Sequence, residues 1–201
     1  MIISITSTVI ATFFATLTGY TFAKFNFRFK NIYFILIIAT MMIPWQLFII
    51  PLYEMIVKTK LINTHIGLII PFTLSAFGIF LMRQFIYGIP TELIEAARVD
   101  GASEIRIFFQ IIIPLSRTAM ATLAIFTFMG VWDEFYWPLV AGTTESVKIL
   151  TVGLSGFVTS QLIHYNLQMA GAVISVLPLI VLFIFLQRFI IKGFMLSGIK
   201  G

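Results

Sequence analysis

The chain has 201 residues, of which 60% are hydrophobic and only 10% are charged. A soluble domain carries roughly 25% charged residues, so this composition excludes an ordinary soluble protein and indicates one that lies in a membrane. The formal charge of +5 does not indicate a nucleic-acid partner, because the basic residues are scattered over loop ends, and the lack of cysteine excludes disulfides.

Five apolar runs are long enough to cross a membrane, since about 20 helical residues span its hydrocarbon core. They cover residues 2–22, 32–53, 66–82, 118–137 and 169–186. Pro44, Pro51 and Pro178 lie inside these runs and predict kinks. The sequence therefore predicts an all-α, polytopic transmembrane helix bundle with five visible spans, forming one domain over residues 1–201.

The charges between the runs predict which side each loop faces. Ten of the 13 Lys and Arg residues fall in alternate loops, against three in the others. Basic loops face the cytoplasm, which places residues 88–114 and the C-terminus there and Met1 outside. A first span that enters from outside without flanking charge predicts that one further helix precedes Met1 in the complete protein.

The loop over residues 144–166 is predicted to lie outside. Leu150, Leu154, Phe157 and Val158 recur at helical spacing, which favours a short surface helix packed on the bundle. A lid over a substrate path is the alternative. His65 and His164 lie at outer loop ends without metal-ligand spacing, so we expect solvated residues and no metal site.

Residues 88–114, here called the polar loop, carry most of the charge between two apolar runs. Pro90 and Glu92 suit the first turn of a helix, Gly101 suits its end, and Ser103 can cap a second short helix running towards Pro114. The expected structure is a rigid helix-turn-helix. From its chemistry alone, it fits an ordinary interfacial loop as well as a docking element for a partner in water.

The spacing of the polar loop resembles the signature loop of ABC importer permeases. It runs Glu-Ala-Ala at 95–97, then Gly101, Ile111 and Pro114, with Ile113 where the family usually has leucine. Further segments resemble the carbohydrate branch, the maltose-type inner-membrane permeases: residues 42–44, 50–53, 61–64, 77–85, 169–173 and 198–201. Permeases of this branch usually have six spans, which agrees with the further helix expected from charge.

The resemblance implies that the polar loop is a coupling helix, which docks into a groove on a cytoplasmic ATP-binding subunit. Glu95 and Asp100 would then make charged contacts, Ala96 and Ala97 would allow close approach, and Gly101 would form the turn. It also implies two ATP-binding cassette subunits, a second homologous permease and an extracytoplasmic solute-binding protein. Together they would import a sugar or oligosaccharide across a prokaryotic cell membrane by alternating access.

A second cluster combines acids and aromatic rings, with Trp132, Asp133, Glu134 and Trp137 in one short segment. Counting helical rise from residue 118, at about 1.5 Å per residue, puts Asp133 about 7 Å inside a core about 30 Å thick. Carboxylates and ring faces suit a sugar, which makes this segment a candidate translocation pathway. An aromatic belt at the outer interface is the alternative.

The sequence contains no GxxxxGK[ST] phosphate-binding loop, so we expect no ATP binding, no cofactor and no enzymatic activity of its own. Two other classes stay open from the residues alone, an ion-driven secondary transporter and a membrane enzyme such as a sugar phosphotransferase channel. Within the importer class, a polyol or glycerol phosphate is the alternative solute.

Overall fold

The computed structural model describes residues 1–157 and 165–197, with side chains up to residue 185 and that of residue 187. All regular elements in this part of the chain are helical, which confirms the all-α prediction. The α-helices are α1 Ile2–Lys24, α2 Lys30–Thr40, α3 Ile49–Lys58, α4 His65–Ile69, α5 Ala76–Tyr87, α6 Thr91–Val99, α7 Glu104–Ile107, α8 Ile113–Trp132, α9 Tyr136–Ala141, α10 Leu150–Ser155 and α11 Tyr165–Ser197. Short 3-10 turns cover Trp45–Phe48 and Ile70–Phe72, and a π-helical turn covers Phe108–Ile112.

Three helices are long and apolar enough to cross a membrane, namely Ile2–Lys24, Glu104–Trp132 and Tyr165–Phe185. Two pairs of shorter helices pass the same test only together, which brings the number of candidate spans in the described residues to five if each pair is one span. The first and fifth predicted spans therefore correspond to α1 and α11.

The second and third predicted spans are broken. Lys30–Thr40 and Trp45–Lys58 meet at 93°, and His65–Phe72 and Ala76–Tyr87 meet at 48°. Pro44 precedes the first 3-10 turn, as its predicted kink requires, whereas Pro51 lies inside α3 without ending it. The second break was not predicted; there the hydroxyl of Ser75 accepts from the backbone N–H of Gly78 and so starts α5 afresh.

The fourth span differs most from its prediction. The helix begins at Glu104 rather than near residue 118, and it ends at Trp132 instead of reaching Trp137. Pro114 does not break this helix. The π-helical turn ends just before the proline, and its wider backbone accommodates a residue that has no N–H to donate. The second arm of the polar loop is therefore the first part of one long helix and not a separate short one.

Helix α1 lies at the centre of the bundle and packs through small residues. A side chain on Gly19 would place its Cβ 2.8 Å from the Met82 Cβ, and one on Gly78 would lie 3.0 Å from the Ala15 Cβ. Such small residues let α1 and α5 approach closely, which is how helices associate where lipid removes the hydrophobic driving force. The predicted surface helix in residues 144–166 is confirmed as α10, whose Leu154 packs on Gly171 of α11; Val158 and His164 lie outside the described residues.

Two buried apolar clusters lie along the bundle. The loop-side core adjoins the polar loop and includes Tyr20, Phe34, Met82, Ile86, Ile94, Ile107, Phe108 and Ile112. The far-side core includes Ile3, Ile56, Leu68, Ile69, Val131, Trp137, Ala141 and Val147. The polar loop and the Trp132–Trp137 segment thus belong to different ends of the molecule.

Candidate functional site

The polar loop forms the predicted helix-turn-helix. Pro90 is the N-cap of α6, and Gly101 follows its end with φ of +81°. The N–H of Gly101 donates to the carbonyl of Arg98 at 3.0 Å, and that of Ala102 donates to Ala97 at 2.9 Å. This pair of bonds is the Schellman termination, which needs a left-handed residue and so explains the glycine. The Ser103 hydroxyl then accepts from the N–H of Arg106, confirming the second cap.

Most of the predicted coupling residues lie on the surface of this loop. Glu95, Ala96, Asp100, Gly101 and Pro114 are exposed, whereas Ala97 and Ile111 are half-buried. Ala97, Asp100 and Ile111 come together around a recess of about 210 Å³, which Arg106 and Gln110 complete. The recess is a shallow surface depression with the carboxylate of Asp100 and the guanidinium of Arg106 at its edges.

Apolar side chains surround the charges of the polar loop. Val99 is 88% exposed, Ile105 72% and Leu93 47%. Ile94 is the buried residue of α6 and anchors the helix in the loop-side core, against which Ala97 also packs, whereas Leu93, Glu95, Ala96 and Val99 are exposed in this chain. Exposed apolar residues with charged neighbours form the composition expected of a protein-docking surface.

An ionic cluster that the sequence did not reveal joins the polar loop to α1. The Tyr20 hydroxyl donates to Glu104 Oε2 at 2.9 Å, and Arg98 Nε donates to Glu104 Oε1 at 2.6 Å. We call Tyr20, Arg98 and Glu104 the latch. The carboxylate raises the pKa of the Arg98 guanidinium, chiefly through this hydrogen bond, and Arg98 also lies over the Phe25 ring.

Lys24, the last residue of α1, makes a second connection. Its ammonium group donates to the carbonyl of Ile89 and, at 3.2 Å, to the hydroxyl of Thr91. The beginning of the polar loop is thereby held to α1 by Lys24, while the latch holds its middle. Lys24, one of the basic residues on which the predicted orientation rests, therefore also has a structural contact within the chain.

The Trp132–Trp137 segment does not converge on one site. Trp132 stacks on Phe128 and its indole N–H donates to the Ser175 carbonyl at 3.0 Å, whereas Trp137 is fully buried and donates to the Gly67 carbonyl. Glu134 accepts from the backbone N–H groups of Tyr136 and Trp137 and so caps α9. Three of the four predicted pathway residues therefore have evident structural contacts.

Asp133 is exposed and caps the C-terminus of α8. The predicted depth of about 7 Å rested on a helix start near residue 118, and the helix actually runs over 29 residues from Glu104. At about 1.5 Å per residue it is about 44 Å long, longer than a hydrocarbon core of about 30 Å. Part of this helix therefore extends beyond the hydrocarbon core, and the position of Asp133 about 7 Å inside the core stays a prediction.

A cleft of about 380 Å³ lies beside Glu134, at the break between α4 and α5. Its lining includes the rings of Trp45, Phe72 and Phe77, the hydroxyls of Ser75 and Thr127, and Glu134. Aromatic faces with a few hydroxyls and one carboxylate suit a sugar. Among the described residues, no group of acids and histidines could hold a metal ion.

Comparison with known proteins agrees with this architecture. The family described as "Binding-protein-dependent transport system inner membrane component" matches residues 9–195. The arabinooligosaccharides transport system permease protein AraQ of Halalkalibacterium halodurans is 36% identical over 99% of this chain and 71% of its own. The sn-glycerol-3-phosphate transport system permease protein UgpE of Salmonella typhi is 35% identical over 88% of this chain and 64% of its own.

A solved structure is similar as well. A crystal structure of a bacterial ABC transporter involved in the import of the acidic polysaccharide alginate has a chain that aligns with a TM-score of 0.72 and 25% identity. The alignment covers 92% of this chain and 74% of that one.

These findings define the class of protein first: a membrane-embedded permease subunit of an ABC importer, and not an enzyme. The chain belongs to the inner membrane component family of binding-protein-dependent transport systems. The resemblance to carbohydrate importer permeases that the sequence indicated is thereby confirmed.

Proposed function

We propose that this chain is one transmembrane subunit of an ATP-driven importer that moves a sugar or oligosaccharide into the cytoplasm by alternating access. The polar loop, residues 88–114, acts as its coupling element and docks on an ATP-binding subunit. The observation that carries this proposal is the exposed surface of α6, where Glu95, Ala96, Asp100 and Gly101 lie together beside uncovered apolar side chains.

The contacts of the loop suit the transmission of motion. A push on the second arm of the polar loop reaches α8 without a break in the helix, because the helix from Glu104 to Trp132 is continuous. The same push reaches α1 through the latch, since Glu104 binds both Arg98 of α6 and Tyr20 of α1. ATP-driven closure of two ATP-binding subunits would therefore move α1 and α8 together with the loop.

The choice of solute rests on the relatives. AraQ carries arabinooligosaccharides by its name, and it matches nearly the whole chain. UgpE carries sn-glycerol 3-phosphate by its name, which favours glycerol phosphate as the second candidate. The aromatic and hydroxyl lining of the cleft beside Glu134 supports a sugar, and this cleft adds to the Trp132–Trp137 segment as a candidate pathway surface.

The proposed orientation puts the polar loop and the C-terminus in the cytoplasm of a prokaryotic cell. Lys24, Lys30, Arg83, Arg98 and Arg106 support it, since basic residues collect at cytoplasmic ends. The proposed partners are two ATP-binding cassette subunits, a second homologous permease and an extracytoplasmic solute-binding protein.

Transport in vesicles tests the proposal. A tagged chain expressed with its neighbouring genes should co-purify with an ATP-binding subunit. After reconstitution, oligosaccharide uptake should require ATP and the binding protein and should persist when an ionophore collapses ion gradients. Uptake that ignores ATP and disappears with the ionophore would contradict it and indicate a secondary transporter. Competition by arabino-oligosaccharides or by glycerol 3-phosphate then identifies the solute class.

A further inference from the structure

A basic pocket lies where α1 ends and α2 begins, away from the recess of the polar loop. It has a volume of about 540 Å³, and its polar lining consists of Asn26, Lys30, Asn31, Arg83 and Tyr87. Lys30 begins α2, and Arg83 projects from α5. We call these five residues the basic pocket.

Both cations are held in place by the end of α1. Lys30 Nζ donates to the Phe25 carbonyl at 2.8 Å, and Arg83 Nε donates to the Phe22 carbonyl at 3.4 Å. The Arg83 guanidinium also lies 4.0 Å from the centre of the Phe34 ring. These contacts orient the two groups but use only part of their donors, since an ammonium has three N–H groups and a guanidinium has five.

The pocket has positive charge without a counter-charge. No acidic side chain lines it, and neither Lys30 nor Arg83 forms an ion pair within the described part of the chain. Lys30 lies within electrostatic range of both Arg83 and Lys24, so the cations repel one another. The start of α2 has no side-chain cap and adds the positive end of its dipole.

The rim of the pocket is apolar. Phe27, Phe29 and Ile32 border it and are 39%, 52% and 55% exposed. The pocket also lies at the ends of two candidate membrane spans, α1 and the bent pair that ends with α5, which is where bilayer headgroups are expected. Cations alone are enough to bind a soluble anion. An apolar rim at the end of candidate membrane spans favours instead an anion that carries acyl chains.

We propose that the basic pocket binds the phosphate headgroup of an anionic phospholipid. Lys30 and Arg83 hold the phosphate oxygens, Asn26 and Asn31 offer side-chain amide donors, and the exposed rings of Phe27 and Phe29 contact the acyl chains. Charge-assisted hydrogen bonds from an ammonium and a guanidinium are strong enough for selective binding at such an interface. This assignment does not depend on the solute or on the coupling role of the polar loop.

Native mass spectrometry of the intact transporter tests the site. The complex is titrated in mild detergent with phosphatidylglycerol, with phosphatidylcholine of the same acyl chains, and with inorganic phosphate as competitor. We expect Lys30→Gln to weaken phosphatidylglycerol binding by about tenfold, as the loss of one charge-assisted hydrogen bond predicts, and to leave phosphatidylcholine binding unchanged. Arg83→Gln should have a similar effect, and Arg83→Lys should restore much of the binding.

Arg28→Gln is the matched control, because Arg28 lies in the same loop, carries the same charge and does not line the pocket. Equal losses in Arg28→Gln and Lys30→Gln would overturn the site in favour of diffuse attraction. Unchanged phosphatidylglycerol binding in Lys30→Gln would overturn it outright. Displacement of the lipid by millimolar inorganic phosphate would overturn the lipid assignment and leave a site for a soluble anion.

Discussion

The two ends of the bundle are built differently. At the loop side, a helix of 29 residues passes unbroken into the polar loop, and charged side chains join it to α1. At the far side, two segments bend by 93° and 48°. There the connections are hydrogen bonds between side chains and backbone groups: the N–H of Thr143 donates to Asn63 Oδ1, and the indole N–H of Trp137 donates to the Gly67 carbonyl.

This difference indicates separate tasks. A continuous helix that the latch joins to α1 moves as one body, because neither a proline break nor a loop within the helix absorbs the displacement. Two helices that meet at a capped break can change the angle between them while the hydrogen bonds of the cap stay intact. The loop side is therefore suited to receive a push and the far side to open or close a path, and variants at each end should fail in different ways.

The largest effect is expected from Gly101→Asp. A Cβ at Gly101 has no neighbouring atom within 4 Å, so the variant should insert normally, at a cost of about 1 kcal/mol for its φ of +81°. The added carboxylate beside Asp100 should stop docking, so solute uptake should fall to background while ATP hydrolysis continues. Gly101→Asn, of the same shape without charge, is the control and should keep most uptake. Normal uptake by Gly101→Asp would refute the coupling role.

Trp137→Ala should instead damage folding at the far side. The side chain is fully buried in the far-side core and donates to the Gly67 carbonyl. Removing it should lower the free energy of unfolding by about 3–5 kcal/mol, measured by thermal unfolding in detergent. Trp137→Phe keeps an aromatic ring, although a smaller one, and removes the N–H, so its loss of stability should be clearly smaller than that of Trp137→Ala. Equal losses would mean that the hydrogen bond, rather than packing, is what matters there.

The latch should give a moderate effect on coupling. Glu104 is 43% exposed, so the ion pair is screened and Glu104→Gln should lower solute transported per ATP roughly two- to fivefold. Tyr20→Phe should act in the same direction, and it should add little to Glu104→Ala, which already removes the acceptor of the Tyr20 hydroxyl. Glu92→Gln, an exposed acid of the same loop, serves as the control. Fully additive losses, or a loss in the control of equal size, would contradict the latch.

The smallest effect is expected at Asn63. Its Oδ1 accepts from the N–H groups of Thr143 and Thr144, and its φ of 58° is one that asparagine tolerates. Asn63→Ala should lower the free energy of unfolding by about 1–2 kcal/mol and leave the transport-to-hydrolysis ratio unchanged. Asn63→Asp keeps the acceptor and should lose less. A changed ratio in Asn63→Ala would mean that the far side also controls coupling.

Local rules predicted the polar loop well. Gly101, Pro90 and Ser103 each act within their own turn, so their roles can be read from neighbouring residues. The latch could not be predicted in this way, because Tyr20 and Glu104 are 84 positions apart in sequence and meet only through folding. The one sequence feature that could have indicated the latch was Glu104 in the first turn after Ser103. An acid at that position is equally explained by its favourable interaction with the helix dipole.

Hydropathy identified the spans but not their shapes. Glu104 and Arg106 gave the start of the fourth span the polarity of a loop, although these residues are helical. The break before Ala76 lies within an apolar run, so the hydropathy pattern carries no signal for it. The structural uses of Trp132 and Trp137 also depend on partners in distant helices, namely Ser175 and Gly67.

Site-specific cross-linking tests the central claim most directly. The chain has no cysteine, so a single introduced thiol can carry a photo-cross-linker at one known position. Ala96 and Asp133 are both exposed and lie at opposite ends of the bundle. In the assembled transporter, Ala96→Cys should cross-link to the ATP-binding subunit and Asp133→Cys should not. Absence of that product from Ala96→Cys, or its formation from Asp133→Cys, would contradict the assignment of the polar loop as the coupling element.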